Sequence, residues 1–94
     1  MTNNIKDLEK KAAALADEIR RRKYELTLME EEQDSYERRA RIADRFEDQP
    51  FADHCRVEAE ILAADIEWRR DRLEEYKDMY YKALVEYNRA KETA

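Results

Sequence analysis

The feature that most constrains this chain is a repeat of apolar residues spaced alternately three and four positions apart. The repeat begins at Ile5 and continues to Ala43. Because 3.6 residues complete one turn of an α-helix, residues at this spacing lie along one side of a helix. A repeat sustained over many turns makes that side a straight seam against which another helix packs. The first seam consists of Ile5, Leu8, Ala12, Leu15, Ile19, Arg22, Leu26, Met29, Gln33, Tyr36, Ala40 and Ala43.

A second seam with the same spacing follows the single proline, Pro50. The chain has this one proline and no glycine, and tight turns commonly need these two residue types. We therefore expect one turn between two very long helices, with helix one at about 4–47, the turn at 48–50 and helix two at about 51–91. The second seam consists of Ala52, Cys55, Ala59, Leu62, Ile66, Arg69, Leu73, Tyr76, Tyr80, Ala83, Tyr87 and Ala90.

Two equal seams on either side of a short break predict an all-α fold, an antiparallel two-helix hairpin of coiled-coil type in a single domain, 1–94. The rival topology is one unbroken helix bent at Pro50 and paired in parallel with a second copy. An interior proline costs a helix about 3 kcal/mol, which disfavours this rival. We expect two hairpins to dimerise into an elongated four-helix bundle.

Charge gives an independent test of the hairpin. If the chain folds back near Gln49, facing residues have numbers that add up to about 98–100. Opposite charges then meet along much of the hairpin. Such exposed pairs contribute little stability, and their use is to select register. The matched blocks are Glu30–Glu32 with Arg69 and Arg70, Arg20–Lys23 with Glu74, Glu75 and Asp78, Arg38, Arg39 and Arg41 with Glu58 and Glu60, and Asp17 and Glu18 with Lys82.

Three polar residues, Arg22, Gln33 and Arg69, interrupt the seams. An arginine can lay its aliphatic stem on the seam and keep its guanidinium in water. Alternatively, a polar group in a seam fixes register at some cost in stability. The sequence leaves both explanations open.

Helix two carries an additional apolar row on the side turned away from its seam, and we name it the outer stripe: Val57, Ile61, Ala64 and Trp68. A two-helix hairpin cannot bury this row, and contiguous exposed apolar surface in a protein marks an interface. Tryptophan and tyrosine are also frequent anchors of interfaces. The predicted partner-binding residues are Trp68, Ile61, Val57, Ala64, Tyr24, Leu28, Arg69, Arg72 and Tyr81.

The sequence offers little for chemistry. His54 and Cys55 are the one histidine and the one cysteine, and adjacent helical side chains point about 100° apart, so they cannot supply the converging ligands of a zinc site. We read Cys55 as a core residue and His54 as solvated. We see no nucleophile–base pair and no glycine-rich phosphate loop, and we expect no enzymatic activity, no cofactor and no metal.

The expected function is that of a non-enzymatic coiled-coil module, a small adaptor or inhibitor that binds a larger, unknown protein, in addition to forming a homodimer. The formal net charge of −5 disfavours general phosphate binding. The alternative is a small dimeric helical-hairpin regulator that binds RNA or associates with nucleic acid, with Arg20–Lys23 contacting phosphates. The sequence shows no apolar leader and no long apolar run, so we expect a cytoplasmic protein without a membrane partner.

Overall fold

The computed structural model describes residues 2–93, and two helices account for nearly all of this range. Helix α1 covers Thr2–Arg45 and helix α2 covers Gln49–Thr93. Both are built largely from alanine, leucine, glutamate, lysine and arginine, which favour helical backbone. No strand occurs within residues 2–93. The chain reverses between the helices, so the predicted antiparallel hairpin is confirmed and the rival unbroken helix is wrong.

The turn consists of three residues, Phe46, Glu47 and Asp48. Glu47 has a φ of 57°, the left-handed conformation that ends many helices. The amide of Asp48 donates to the carbonyl of Ala43 at 2.9 Å, and the amide of Glu47 donates to that of Asp44 at 3.1 Å. These two bonds form a Schellman motif, which satisfies carbonyl groups at the end of α1.

Asp48 also begins the second helix. Its carboxylate Oδ1 accepts from the amide of Phe51 at 3.4 Å, and its carbonyl accepts from the amide of Ala52 at 3.0 Å. Pro50 lies in the first turn of α2, where its missing N–H group costs nothing. From the sequence, Asp48 or Gln49 was expected to cap helix two and Pro50 to be one of its first residues, and the cap at Asp48 and the position of Pro50 are confirmed. The turn itself was predicted at 48–50 and lies two residues earlier, because α1 already ends at Arg45.

Small residues line the helix interface beside the turn. Ala40 and Ala43 of α1 and Ala52, Cys55 and Ala59 of α2 are all buried. The distance between packed helices depends on the side chains between them. A three-residue connection holds the two helices close, and small side chains at the contact permit that approach.

The hairpin divides into two compact units. The turn unit comprises residues 24–70. The terminal unit comprises the earlier part of α1, up to Lys23, and the later part of α2, from Asp71 onwards. In each unit a segment of α1 packs against a segment of α2. That residues 1–94 form one domain stays a prediction.

The buried side chains of the described residues all belong to the two predicted seams. Every other described member of the seams is half-buried. The side chains at the predicted spacing are therefore the ones that pack between the helices. The buried set is Leu26, Ala40, Ala43, Ala52, Cys55, Ala59 and Ile66 in the turn unit and Ala12, Ile19, Leu73 and Ala83 in the terminal unit.

Contacts across the helices confirm the predicted register. In the turn unit Arg70 pairs with Glu30 at 3.2 Å, and Arg56 pairs with Asp44. In the terminal unit Arg22 contacts Tyr76. The residue numbers in these contacts add up to 100, 100 and 98. A fourth contact, between Arg69 and Glu25, adds up to 94, because the long arginine side chain reaches about one turn along α1.

The predicted pairing of Arg20, Arg21 and Arg22 with acidic residues of α2 was wrong. Arg20 pairs with Asp17, and both Arg21 and Arg22 pair with Glu18, one turn back on the same helix. The predicted acidic partners are likewise occupied on α2, where Glu74 pairs with Lys77 and Glu75 with Arg72. Side chains three or four positions apart on a helix are already neighbours. At these positions the local pairs therefore form in place of pairs that cross between the helices. Among the described residues, no ion pair joins Arg38, Arg39 or Arg41 to Glu58 or Glu60, or Asp17 or Glu18 to Lys82.

Candidate protein-binding surface

The outer stripe lies in the turn unit with its large side chains in solvent. Trp68 is 61% exposed, Ile61 59% and Val57 52%, and Ala64 is exposed as well. Trp68 lies two positions after Ile66, which is buried in the seam. Because two residues turn a helix through about 200°, the outer stripe occupies the face of α2 opposite its seam. It forms a continuous apolar row that the chain's own helices do not cover.

The remaining predicted apolar residues are also exposed, but they do not join the outer stripe. Tyr24 is 65% exposed and Leu28 is 47% exposed. Each lies two positions from Leu26, which is buried in the α1 seam, so both point away from α2. In the turn unit, the two helices therefore present apolar residues on opposite outer faces. Tyr81, also exposed, belongs to the terminal unit.

The arginines near Trp68 are engaged with carboxylates of their own chain. Arg69 contacts Asp65 through Nε at 3.2 Å and Glu25 through Nη1 at 3.4 Å. Arg72, at the start of the terminal unit's α2 segment, contacts Glu75 at 2.7 Å. Arg70 is engaged as well, with Glu30 of α1. These cations are therefore already neutralised without an acidic partner.

Unpaired carboxylates flank the outer stripe. Helical geometry places Glu60 and Glu67 along one side of the row and Glu58 and Asp65 along the other. Asp65 is held by Arg69. Among the described residues, Glu58, Glu60 and Glu67 take part in no ion pair. The border of the outer stripe is therefore acidic, which the sequence analysis did not recognise.

The acidic border follows the charge distribution of the chain. Residues 24–70, the turn unit, carry fourteen acidic and seven basic side chains. The rest of the sequence carries ten acidic and twelve basic side chains. The turn unit therefore has a formal net charge of −7 and the rest of the sequence +2, so the net negative charge of the chain comes entirely from the unit that carries the outer stripe.

A second apolar feature surrounds the turn. Phe46 is 80% exposed, and Ile42 and Phe51 are exposed beside it. These three side chains line a shallow cleft of about 220 Å³ together with Arg39, Ala43 and Asp48. From the sequence, Ile42 and Phe46 were expected to form part of a thinner exposed apolar row on helix one, but neither they nor Phe51 were included among the binding residues. The position of Phe51 directly after the break, outside the seam spacing, is the signal that could have identified it.

The two arginines within the seams make specific contacts with the opposite helix. In the terminal unit the guanidinium carbon of Arg22 lies 4.2 Å from the centre of the Tyr76 ring, and Nη2 donates to the Tyr76 hydroxyl at 3.3 Å. In the turn unit Arg69 reaches Glu25 of α1. Both side chains are half-buried. These contacts favour the explanation that the two arginines help to fix the register of the helices. They speak against the alternative, in which the guanidinium groups would contact only water.

The His54–Cys55 pair offers no joint site. Cys55 is fully buried and reduced, whereas His54 is exposed and stacks on Phe51 with ring centres 6.4 Å apart. The reading of Cys55 as a core residue and His54 as solvated is confirmed. No group of three or more histidine, cysteine or acidic side chains within the described residues is arranged to hold a metal ion.

Neither helix, over its described length, contains a segment apolar enough to cross a membrane. Comparison with known proteins identifies no matching family model, no similar curated protein and no similar solved structure.

Proposed function

We propose that this chain is a non-enzymatic protein-interaction module that binds a larger protein through the exposed face of α2, as a small adaptor or inhibitor. The observation that carries the proposal is the exposure of Trp68, at 61%, within a row of apolar side chains opposite the seam. A large exposed apolar side chain at the middle of a helix has no role in packing the hairpin, and such residues frequently anchor interfaces. A cytoplasmic location is part of the same proposal.

The homodimer expected from the sequence stays a prediction. Exposed apolar residues lie on the outer faces of both helices in the turn unit, so one face can serve a second copy while the other serves a foreign partner. Sedimentation at micromolar concentration should give the mass of two chains, and the melting temperature should rise with concentration. A single-chain mass across this range would contradict the homodimer and leave both faces to other partners.

The alternative function, binding of RNA or another nucleic acid, has weaker support. Its phosphate contacts were assigned to the basic run that begins at Arg20. Arg20, Arg21 and Arg22 each pair with Asp17 or Glu18 on the same helix. Phosphate binding requires cations in excess of local anions. The acidic balance of the turn unit opposes a nucleic-acid contact there as well.

Site-specific photo-crosslinking tests the proposed function. We would replace Ile61 by p-benzoylphenylalanine and irradiate the protein in nuclease-treated lysate of the source cells. The control carries the same group at Asn88, which is exposed in the terminal unit. The proposal predicts a protein adduct of defined mass at position 61 that is absent at position 88. Equal labelling at both positions, or adducts that contain only nucleic acid when nuclease is omitted, would contradict it.

A further inference from the structure

We infer that the outer stripe binds an amphipathic α-helix whose apolar face is bordered by lysine or arginine. The inference rests on the proposed function and adds the chemical class of the partner. Its first support is spacing. Val57, Ile61, Ala64 and Trp68 follow one another at intervals of four, three and four, the same alternation as in the seams, where each helix packs against another helix. A surface with this spacing can pack against a helix of the same repeat, because the side chains of one helix fit between those of the other.

The length of the outer stripe sets the length of the partner segment. Eleven residue steps at 1.5 Å give about 16 Å from Val57 to Trp68, or about three helical turns. A helix of about fourteen residues covers this distance with a residue to spare at each end. Three turns are too short to be stable alone in water, so the partner helix belongs to a folded protein or becomes ordered on binding.

The charge of the border selects a basic partner. Residues that flank the apolar row of a helix pair contact the flanking residues of the partner, and their charges determine which partners associate. Here Glu58, Glu60 and Glu67 are unpaired among the described residues. Arg69, which follows Trp68 in the sequence, is engaged by Glu25 and Asp65. Opposing lysine or arginine side chains would meet carboxylates on both sides of the row.

A second copy of this chain is a poor occupant of the same face. If two copies paired antiparallel through the outer stripe, Glu60 would approach Glu67 of the other chain, and Glu58 would approach Asp65. If they paired in parallel, the Glu60 side would face the Glu58 side. Both arrangements place carboxylates against carboxylates, and opposed like charges destabilise helix pairs. A homodimer therefore uses a different face.

The fluorescence of Trp68 reports directly on binding at the outer stripe, because Trp68 is the only tryptophan in the chain. We would titrate the 94-residue protein with two synthetic fourteen-residue peptides that lack tryptophan and that become helical when they bind. Both carry leucine at the spacing of the outer stripe, and they differ in having lysine or glutamate at the flanking positions. The lysine peptide should produce a saturable blue shift of Trp68 emission. It should bind at least about tenfold more tightly than the glutamate peptide at low salt, since several ion pairs each multiply affinity.

Reversing the charge of the border residues tests whether the preference for the lysine peptide arises at the outer stripe. The double variant Glu60→Arg, Glu67→Arg should reverse the preference in favour of the glutamate peptide. The matched control, Glu31→Arg with Glu32→Arg, makes the same change in net charge at exposed residues of α1 and should retain the preference for the lysine peptide. Equal binding of both peptides by the unmodified chain would overturn the inference. So would reversal in the control, or a blue shift of the protein alone that grows with its own concentration.

These outcomes separate the inference from the function on which it rests. If position 61 captures a protein in lysate while the two peptides bind equally, the interaction module stands and the basic character of its partner is refuted. If the lysine peptide is preferred but position 61 captures no protein, the surface recognises basic helices, and the proposed function in the source cell fails.

Discussion

Replacement of Glu47 by glycine should stabilise the hairpin. Glu47 has a φ of 57° and closes the Schellman motif that ends α1. Its β-carbon lies close to a backbone carbonyl in this conformation, which costs a residue other than glycine about 1–2 kcal/mol. The motif itself uses only backbone atoms. Removing the side chain therefore removes the cost and leaves both hydrogen bonds intact.

The net gain is smaller than the steric cost, because glycine also increases the freedom of the unfolded chain. That opposing effect amounts to about 0.4–1 kcal/mol. We expect Glu47→Gly to raise the free energy of unfolding by about 0.5–1 kcal/mol. For a chain of this size 1 kcal/mol corresponds to about 4–8 °C in melting temperature, so the variant should melt a few degrees higher.

Thermal and urea denaturation followed by circular dichroism at one protein concentration would measure the change. Two variants serve as controls. Glu47→Ala retains a β-carbon at the same φ and should leave stability within about 0.5 kcal/mol. Arg45→Gly places glycine inside the last turn of α1 and should cost about 1 kcal/mol. Destabilisation by Glu47→Gly, or an equal gain with alanine, would refute the argument that the left-handed backbone carries the cost.

Three further results are expected. Asp48→Ala should cost about 1 kcal/mol in denaturation because it removes the carboxylate that caps α2, and Asp48→Asn should retain most of that stability. Ile66→Ala, at a site that is 2% exposed, should lower the free energy of unfolding by about 2–5 kcal/mol. Trp68→Ala should lower it by less than about 1 kcal/mol, and a loss as large as that of Ile66→Ala would show that a second chain buries the indole. Cys55, fully buried, should react with a thiol reagent such as DTNB only as the chain unfolds, and rapid labelling of the native protein would contradict the packing beside the turn.

The seams were predictable from sequence because their signal is long and redundant. Two residues along a helix separate its buried face from its exposed face, as buried Ile66 and exposed Trp68 show. A seam assigned two residues out of place would therefore have put polar residues at buried positions. Each seam contains twelve positions, and their agreement fixes which face of the helix is buried. The exposure of the outer stripe was predictable for the same reason, since the hairpin offers one buried side to each helix.

The position of the turn and the partners of individual arginines were harder to predict from the sequence, because each depends on a single residue. The turn was predicted at 48–50 and lies at 46–48, because a glutamate such as Glu47 carries no sign in the sequence of left-handed backbone. The pairing of Arg20 with Asp17 was likewise missed. The sequence contains acids both on the same helix and on the other one, and nothing in the spacing alone gives priority to the local pair.

The turn sets the register of the hairpin, so the carboxylates beside the outer stripe are not needed for it. A three-residue connection with fixed hydrogen bonds at both helix ends determines which residues of α1 face which residues of α2, beginning with Asp44 and Arg56. The cross-helix ion pairs agree with this register and add little stability. Glu58, Glu60 and Glu67 do not contribute even to those pairs. Acidic side chains beside an apolar row, unused by the fold, are therefore most readily explained by what binds there.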